Sequence, residues 1–136
     1  LRYYQRDQRE DLGYAFFIFE AAGSCLIGGL TLSNVRRGVT QAAALGYWLG
    51  ADCTGQGHMR HAVSLAADFA FGDLRLHRLE AACLPNNEPS IGVLRWNGFQ
   101  EEGLARSYLK INGEWRDHLL FALLVDDPRP NGRGGG

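Results

Sequence analysis

Leu45 to Ala70, read LGYWLGADCTGQGHMRHAVSLAADFA, is the stretch from which the fold follows. It opens on an apolar, aromatic run (Leu45, Tyr47, Trp48, Leu49) suited to a strand. It closes on Met59, Ala62, Val63, Ala66, Ala67 and Ala70, which recur at helical spacing. Between the two lie Gly55 and Gly57, one residue apart. A strand, a glycine turn and a helix start aim several unpaired backbone N–H groups at one point. The helix dipole adds positive potential there, so the point suits a phosphate. Thr54 to Met59 carries neither Gly-Lys-Ser/Thr nor G-x-G-x-x-G, so two familiar nucleotide fingerprints do not apply. Alone, such a turn also reads as a tight connection that binds nothing.

The rest of the chain sets bounds. Its 136 residues suffice for one domain with a core, and 46% apolar with 21% charged residues is ordinary for a soluble globular protein. With a formal net charge of −1, no basic excess argues for nucleic acid as the main partner and no acidic excess argues for disorder. Arg36-Arg37 is too short for a basic patch and reads as a solvated loop. No apolar run is long enough to cross a bilayer, and the start LRYYQRDQRED does not read as a signal peptide. Cys25, Cys53 and Cys83 are widely spaced, with no C-x-x-C. They suggest neither a disulfide framework nor a zinc site, and the cytoplasm is the expected location.

Working outward, Leu1 to Asp11 reads as a helix end or a charged lead-in. Gly13 to Glu20 and Cys25 to Leu32 read as hairpin-paired strands around a turn at Ala21 to Ser24. Ser33 to Gln41 reads as a polar loop, Ala42 to Leu49 as a third strand, and Gln56 to about Gly72 as a helix. Leu76 to Leu84 reads as a strand stopped by Pro85. Asn86-Asn87 turns into a short helix from about Pro89 to Trp96, ended by Gly98. Phe99 to Ile111 and Trp115 to Val125 read as strands around the turn Asn112-Gly113. Asp126 to Gly136 has no apolar anchor and reads as a disordered tail behind a domain of residues 1–125. The predicted class is α/β, one mixed sheet with helices packed on it. The strands from Ala42 and Leu76 should be parallel neighbours, because a full helix joins them.

A second block changes the meaning of the glycine turn. Asn87-Glu88-Pro89-Ser90 stands at the next strand-to-helix junction and leads to Ile91-Gly92-Val93-Leu94-Arg95-Trp96-Asn97-Gly98-Phe99. Here the sequence resembles the GNAT acetyltransferases. Their glycine loop, Gln/Arg-x-x-Gly-x-Gly/Ala, holds the coenzyme A pyrophosphate, and N-x-x-S before a short helix ending in Gly-Phe is a second block. Gly57 matches the central glycine, whereas Thr54 stands where Gln or Arg is usual and Met59 where Gly or Ala is usual. The blocks LIGGLTLSNV (26–35), LGYWLG (45–50), HRLEAACLPNNEPS (77–90) and YLKINGEWRDHLLFAL (108–123) look like the branch that acetylates protein N-termini, of the ribosomal-protein alanine type. The resemblance implies the GNAT fold, with a further strand and one or two helices ahead of Leu1 helping to form the acceptor side.

The resemblance also implies roles. Main-chain groups of Tyr47, Trp48 and Leu49 would pair with the pantetheine arm, and an N–H near Leu49 would polarise the acetyl carbonyl. Gly55, Gln56, Gly57, His58, Met59 and Arg60 would supply amides to the pyrophosphate, and Arg60 would add charge. Asn87 would bond the pantetheine amide, or simply open the turn, and Ser90 would lie near the sulfur, or simply satisfy the helix start. Many relatives carry a tyrosine acid in the following helix. The matching Leu94 cannot donate a proton, which leaves Ser90 as the side-chain acid. Tyr47, Glu80 and Asp117 are the candidates for the base, with aromatic packing or arginine pairing as their structural alternatives. An α-amine titrates near about 7.7–8.0, against about 10.4 for lysine, so an N-terminal acceptor needs only weak help. His58 and His61 share a helical face but have no evident third ligand, so no metal is expected. Phe16, Phe17, Phe19, Phe69, Phe71 and Phe99 read as core. The expected activity is acetyl transfer from acetyl-CoA to the α-amine of a protein or peptide such as a ribosomal protein. Nucleic acid and membrane have no part in it, and the protein acts as a monomer or homodimer. The alternatives are a GNAT-like module that holds acyl-CoA without turnover, and a small-amine acetyltransferase.

Overall fold

The structure, a computed structural model, describes residues 2–7, 13–19, 26–49 and 56–130. Its strands are β1 (Arg2–Asp7), β2 (Tyr14–Phe19), β3 (Leu26–Arg36), β4 (Ala42–Leu49), β5 (Arg78–Cys83), β6 (Gln100–Ile111) and β7 (Glu114–Leu124). The helices are α1 (Gln56–Asp68) and α2 (Glu88–Trp96). The strands form one sheet in the order β1-β2-β3-β4-β5-β7-β6. β4 and β5 run parallel, as the α1 crossover between them requires, and the other neighbours are antiparallel. This is the GNAT fold that the resemblance implies.

The helix stripe read from sequence is the buried one. Met59, Ala62, Val63, Ala66, Ala67 and Ala70 are all buried, and they share a core with Leu30, Leu32, Leu45, Leu79, Phe121 and Leu123 from the sheet. Four alanines on that stripe let the helix lie close to the strands. Asn112 (φ 50) and Gly113 (φ 83) make the tight β6–β7 turn, both in the left-handed region that Asn-Gly favours.

Several boundaries differ from the sequence reading. The lead-in is neither helix nor loop: Arg2–Asp7 pairs antiparallel with β2, its charges standing on an edge strand. The polar stretch from Ser33 stays in β3 as far as Arg36. Ser33 pairs with Ala44 and Arg36 with Ala42 around an irregularity where Asn34 takes φ 51. The helix from Gln56 does not run evenly to Gly72. It widens into a π-helical turn over Phe69–Asp73, closed by Leu74 N–H donating to Phe69 O at 3.0 Å. Leu76 belongs to that closure, donating to Ala70 O, so β5 starts only at Arg78.

Strand alternation also divides the phenylalanines. Phe16 and Phe69 pack against the core and meet edge-on at 5.8 Å. Phe17 points to the opposite face and meets Trp48 at 6.4 Å. Of the six, Phe99 is fully buried and the others are half-buried. The turn at Ala21 to Ser24, Cys25, Cys53 and residues 131–136 lie outside the described residues.

Residues 126–130 are not a loose tail. Arg129 is 9% exposed; it donates to Asp68 Oδ1 at 2.8 Å and to Ser64 O at 2.9 Å, tying the chain to α1. A charge, rather than an apolar side chain, anchors this segment. Arg129→Leu is expected to cost about 2 kcal/mol, because it strands the paired carboxylate and removes hydrogen bonds to a charged donor. Urea denaturation at neutral pH reads the loss, and an unchanged midpoint would show that the anchor contributes nothing.

Candidate active site

The parallel β4–β5 ladder is short. It runs from Ala42 opposite Arg78 to Leu45 opposite Ala81 and stops. Beyond it β4 continues through Gly46, Tyr47, Trp48 and Leu49, paired on its other side to Thr31, Leu30, Gly29 and Gly28 of β3. The two parallel strands part here, and the β5-facing main chain of Gly46 to Leu49 has no ladder partner on β5. An exposed row of backbone donors and acceptors is what an extended amide-bearing ligand can join as an added strand.

A pair of hydroxyls bridges the split. The Tyr47 phenol of β4 stands 2.8 Å from Ser90 Oγ and 3.0 Å from the Ser90 carbonyl oxygen, at the start of α2. The carbonyl can only accept and the phenol has one proton, so two arrangements exist. In one, Tyr47 donates to the carbonyl and receives the Ser90 proton. In the other, Tyr47 donates to Oγ and the Ser90 proton is left to point elsewhere. Both need a protonated phenol. Burial pushes Tyr47 up to about 12, outweighing the opposite effect of its hydrogen bond with Ser90. Cys83, buried at the end of β5, is also raised by burial, with a hydrogen bond to Ser90 opposing. Ser90 thus sits among the ends of β4, β5 and α2.

Asn87 caps α2. Its Oδ1 accepts from Ser90 N at 3.2 Å, with Pro89 in the first turn, so its side chain has a structural duty at this junction. Leu94 is 1% exposed and lies in the core, in keeping with the loss of a tyrosine acid at that position.

The start of α1 forms the other end of the site. Gly55 lies outside the described residues, and nothing is described of the Gln56 and Leu49 side chains. At Gly57 a Cβ would meet nothing within 4 Å, and its φ is not in the left-handed region. The fold therefore does not need glycine there. His58 is exposed, whereas Met59 is 0% exposed and belongs to the core, its main chain as closed to solvent as its side chain, so the amide expected there to meet the diphosphate is not on the surface. Arg60 is exposed and stacks its guanidinium 4.9 Å from the Trp96 ring centroid. His61 meets the same indole edge-on at 5.1 Å rather than pairing with His58. Among the described residues no group of three or more His, Cys, Asp or Glu side chains could hold a metal.

Trp48 is 47% exposed, and its indole lies over Gly29, where a Cβ would come within 2.5 Å of Nε1. A side chain at Gly29 would have to push this indole aside. Glu80 is committed elsewhere, to Arg36 and to Arg78, which also grips Glu102. Burial alone would raise the Glu80 carboxyl, but hydrogen bonds from Arg78 and Arg36 outweigh it and hold it below its ordinary value. Asp117 is exposed and accepts from Ser107 N at 2.8 Å, pinning the irregular part of β6 where Ser107 takes φ 45. The structure thus brings Tyr47 and Ser90 together, and ties Glu80 and Asp117 into pairings of their own. Sequence reading missed the closeness of Cys83 to Ser90; its place at the end of the strand that leads to Asn87 and Ser90 was the available signal.

A split parallel pair, a hydroxyl couple across it and a helix start with a dispensable glycine make the scaffold of an α/β acyltransferase. Comparison with known proteins identifies the family. Residues 1–100 match the acetyltransferase (GNAT) domain family, and the chain belongs to it. These enzymes take the acetyl group from acetyl-CoA. The chain is 44% identical over 124 residues to the probable N-acetyltransferase YjcK of Bacillus subtilis, covering 91% of this chain and 68% of that protein. It is 36% identical over 122 residues to the ribosomal protein uS5-alanine N-acetyltransferase of Escherichia coli, covering 90% and 63%. The solved structure of Mycobacterium smegmatis RimJ in complex with CoA-disulfide is similar at a TM-score of 0.80 and 41% identity, covering 86% of this chain and 55% of that one. The chain thus spans between 55% and 68% of the length of these three proteins. No helix among the described residues is long and apolar enough to cross a membrane.

Proposed function

We propose that this protein transfers the acetyl group of acetyl-CoA to the N-terminal α-amine of a protein, of the ribosomal-protein alanine type, by direct attack. The observation that carries the reading is the parting of β4 from β5 beyond Leu45, bridged by Tyr47 and Ser90. The acceptor class rests on the likeness to the uS5-alanine N-acetyltransferase.

The residues of the chain divide the work. Main-chain groups of Tyr47, Trp48 and Leu49 hold the pantetheine arm, and the exposed amides of Gly57 and His58, with Arg60 beside them, hold the diphosphate. The bound donor supplies an activated acetyl thioester. Ser90 Oγ–H gives its proton to the leaving sulfur, Tyr47 passes its own proton to Ser90 Oγ, and the proton shed by the attacking amine returns through water to the Tyr47 oxygen. An ordinary thiol titrates near about 8.5, so this proton need not come from a strong acid. Tyr47 acts as donor rather than base, because its phenol ionises only near about 12. Glu80 and Asp117 are engaged elsewhere, and the acceptor amine enters already neutral, losing its proton to water after attack.

A pH profile follows from this assignment. With an alanine-starting peptide, kcat/KM is expected to rise about tenfold per pH unit and level off near about pH 8, the range of an α-amine. No second inflection from Tyr47 is expected below about pH 12. A rise that continues past pH 9 would point to a lysine side chain as acceptor. The direct test incubates the protein with acetyl-CoA and a peptide carrying the uS5 N-terminus, following thiol release and peptide mass. Coenzyme binding with no release on any amine would mean a binding module instead. Release with a small amine but not the peptide would move the acceptor to that class.

A further inference from the structure

Asn97 is 0% exposed and closes α2. Asparagine is common just past a helix because it tolerates the left-handed backbone, but here Gly98 takes that conformation, at φ +88, while Asn97 has φ −89. Burial of its amide therefore needs another reason. Nδ2 donates to Val93 O and to Arg60 O, both at 3.0 Å. Two carbonyls at one end of the side chain allow only the NH2 group there. The Val93 bond stays within α2. The bond to Arg60 crosses to α1, just past the amides of Gly57 and His58. Arg60 and His61 of α1 also meet the Trp96 ring of α2 near this point.

We infer that Asn97 is a positioning residue. Its amide sets the spacing between the phosphate-binding start of α1 and the helix that carries Ser90, so that the diphosphate and thioester ends of the donor are seated together. This rests on the phosphate assignment made above. A helix start that drifts by a fraction of an ångström presents its amides off line, and binding then has to supply the ordering.

The test uses Asn97→Leu and Asn97→Ser, each titrated with coenzyme A by calorimetry and with pantetheine by NMR, well below its melting temperature. Leucine removes both bonds. Serine can still bond back to Val93 O within its own helix but is too short to reach Arg60 O. Coenzyme A binding is expected to weaken about tenfold in both variants, with pantetheine binding, which needs no phosphate contact, changed less than twofold. Should Asn97→Leu fail to fold, Asn97→Ser decides on the same readout. Unchanged coenzyme A affinity, or equal loss for both ligands, would make Asn97 a merely structural residue and overturn the inference. A wild-type protein that binds pantetheine as tightly as coenzyme A would instead overturn the phosphate assignment, and the positioning role with it.

Discussion

Replacing Gly57 with glutamate is expected to weaken coenzyme A binding by about 100-fold or more and leave the fold intact. The fold has no stake in this glycine. A Cβ meets nothing within 4 Å and the backbone is helical, so a side chain finds room. Glycine near a helix start costs up to about 1 kcal/mol relative to alanine, so some other demand keeps it there. A diphosphate drawn against the amides is such a demand, since a side chain would hold it off and a carboxylate would repel it. Two like charges about 4 Å apart at a protein surface repel by about 4 kcal/mol, and about 2.8 kcal/mol already amounts to 100-fold. Gly57→Ala separates the two halves of the argument. It should raise the melting temperature through helix propensity while weakening the coenzyme by severalfold. Calorimetric titration reads both variants; if Gly57→Glu bound coenzyme A like the wild type, the diphosphate would have to lie elsewhere.

Ser90→Ala is the second large effect, expected to lower kcat about 100-fold with the KM for acetyl-CoA within threefold. Proton donation by a placed side chain contributes about 10²–10⁴-fold, and the low end suits a thiolate that leaves without much help. The cap of α2 survives the change, because Asn87 accepts from the backbone N–H of Ser90 and not from its hydroxyl. A loss of rate therefore cannot be charged to a frayed helix. Tyr47→Phe should lower kcat about tenfold by removing the proton that follows the one Ser90 gives up. The double variant should be no slower than Ser90→Ala, because Tyr47 acts through Ser90. Additive losses would mean that the phenol acts on the substrates directly. A Ser90→Ala enzyme within threefold of wild type would leave the leaving group to water.

The legible parts of the fold share one property: their signal is local. The α1 stripe, the Asn112-Gly113 turn and the strand at Ala42 to Leu49 are each set by periodicity or turn chemistry within a few residues, and all three stand as read. β1 was not legible, because a charged edge strand is defined by what it pairs with. Nor was the anchoring of residues 126–130, where a buried guanidinium holds a segment that lacks an apolar anchor. In the site, N-x-x-S and the glycine turn marked Gly57, Asn87 and Ser90, and Tyr47 entered as one of three candidate bases on the strands. These signals could not tell which carboxylates were already engaged. Glu80 and Asp117 sit on suitable strands, yet their partners come from β3, β5 and β6.

By itself the sequence determined the order of strands and helices from β2 onward and the parallel crossover, since each follows from spacing along the chain. Only the tertiary structure decided that β4 and β5 part after Leu45, that Tyr47 meets Ser90 across the gap, and that Asn97 reaches Arg60. Those contacts join residues far apart in the chain, and whether they form depends on how the layers pack rather than on any local preference.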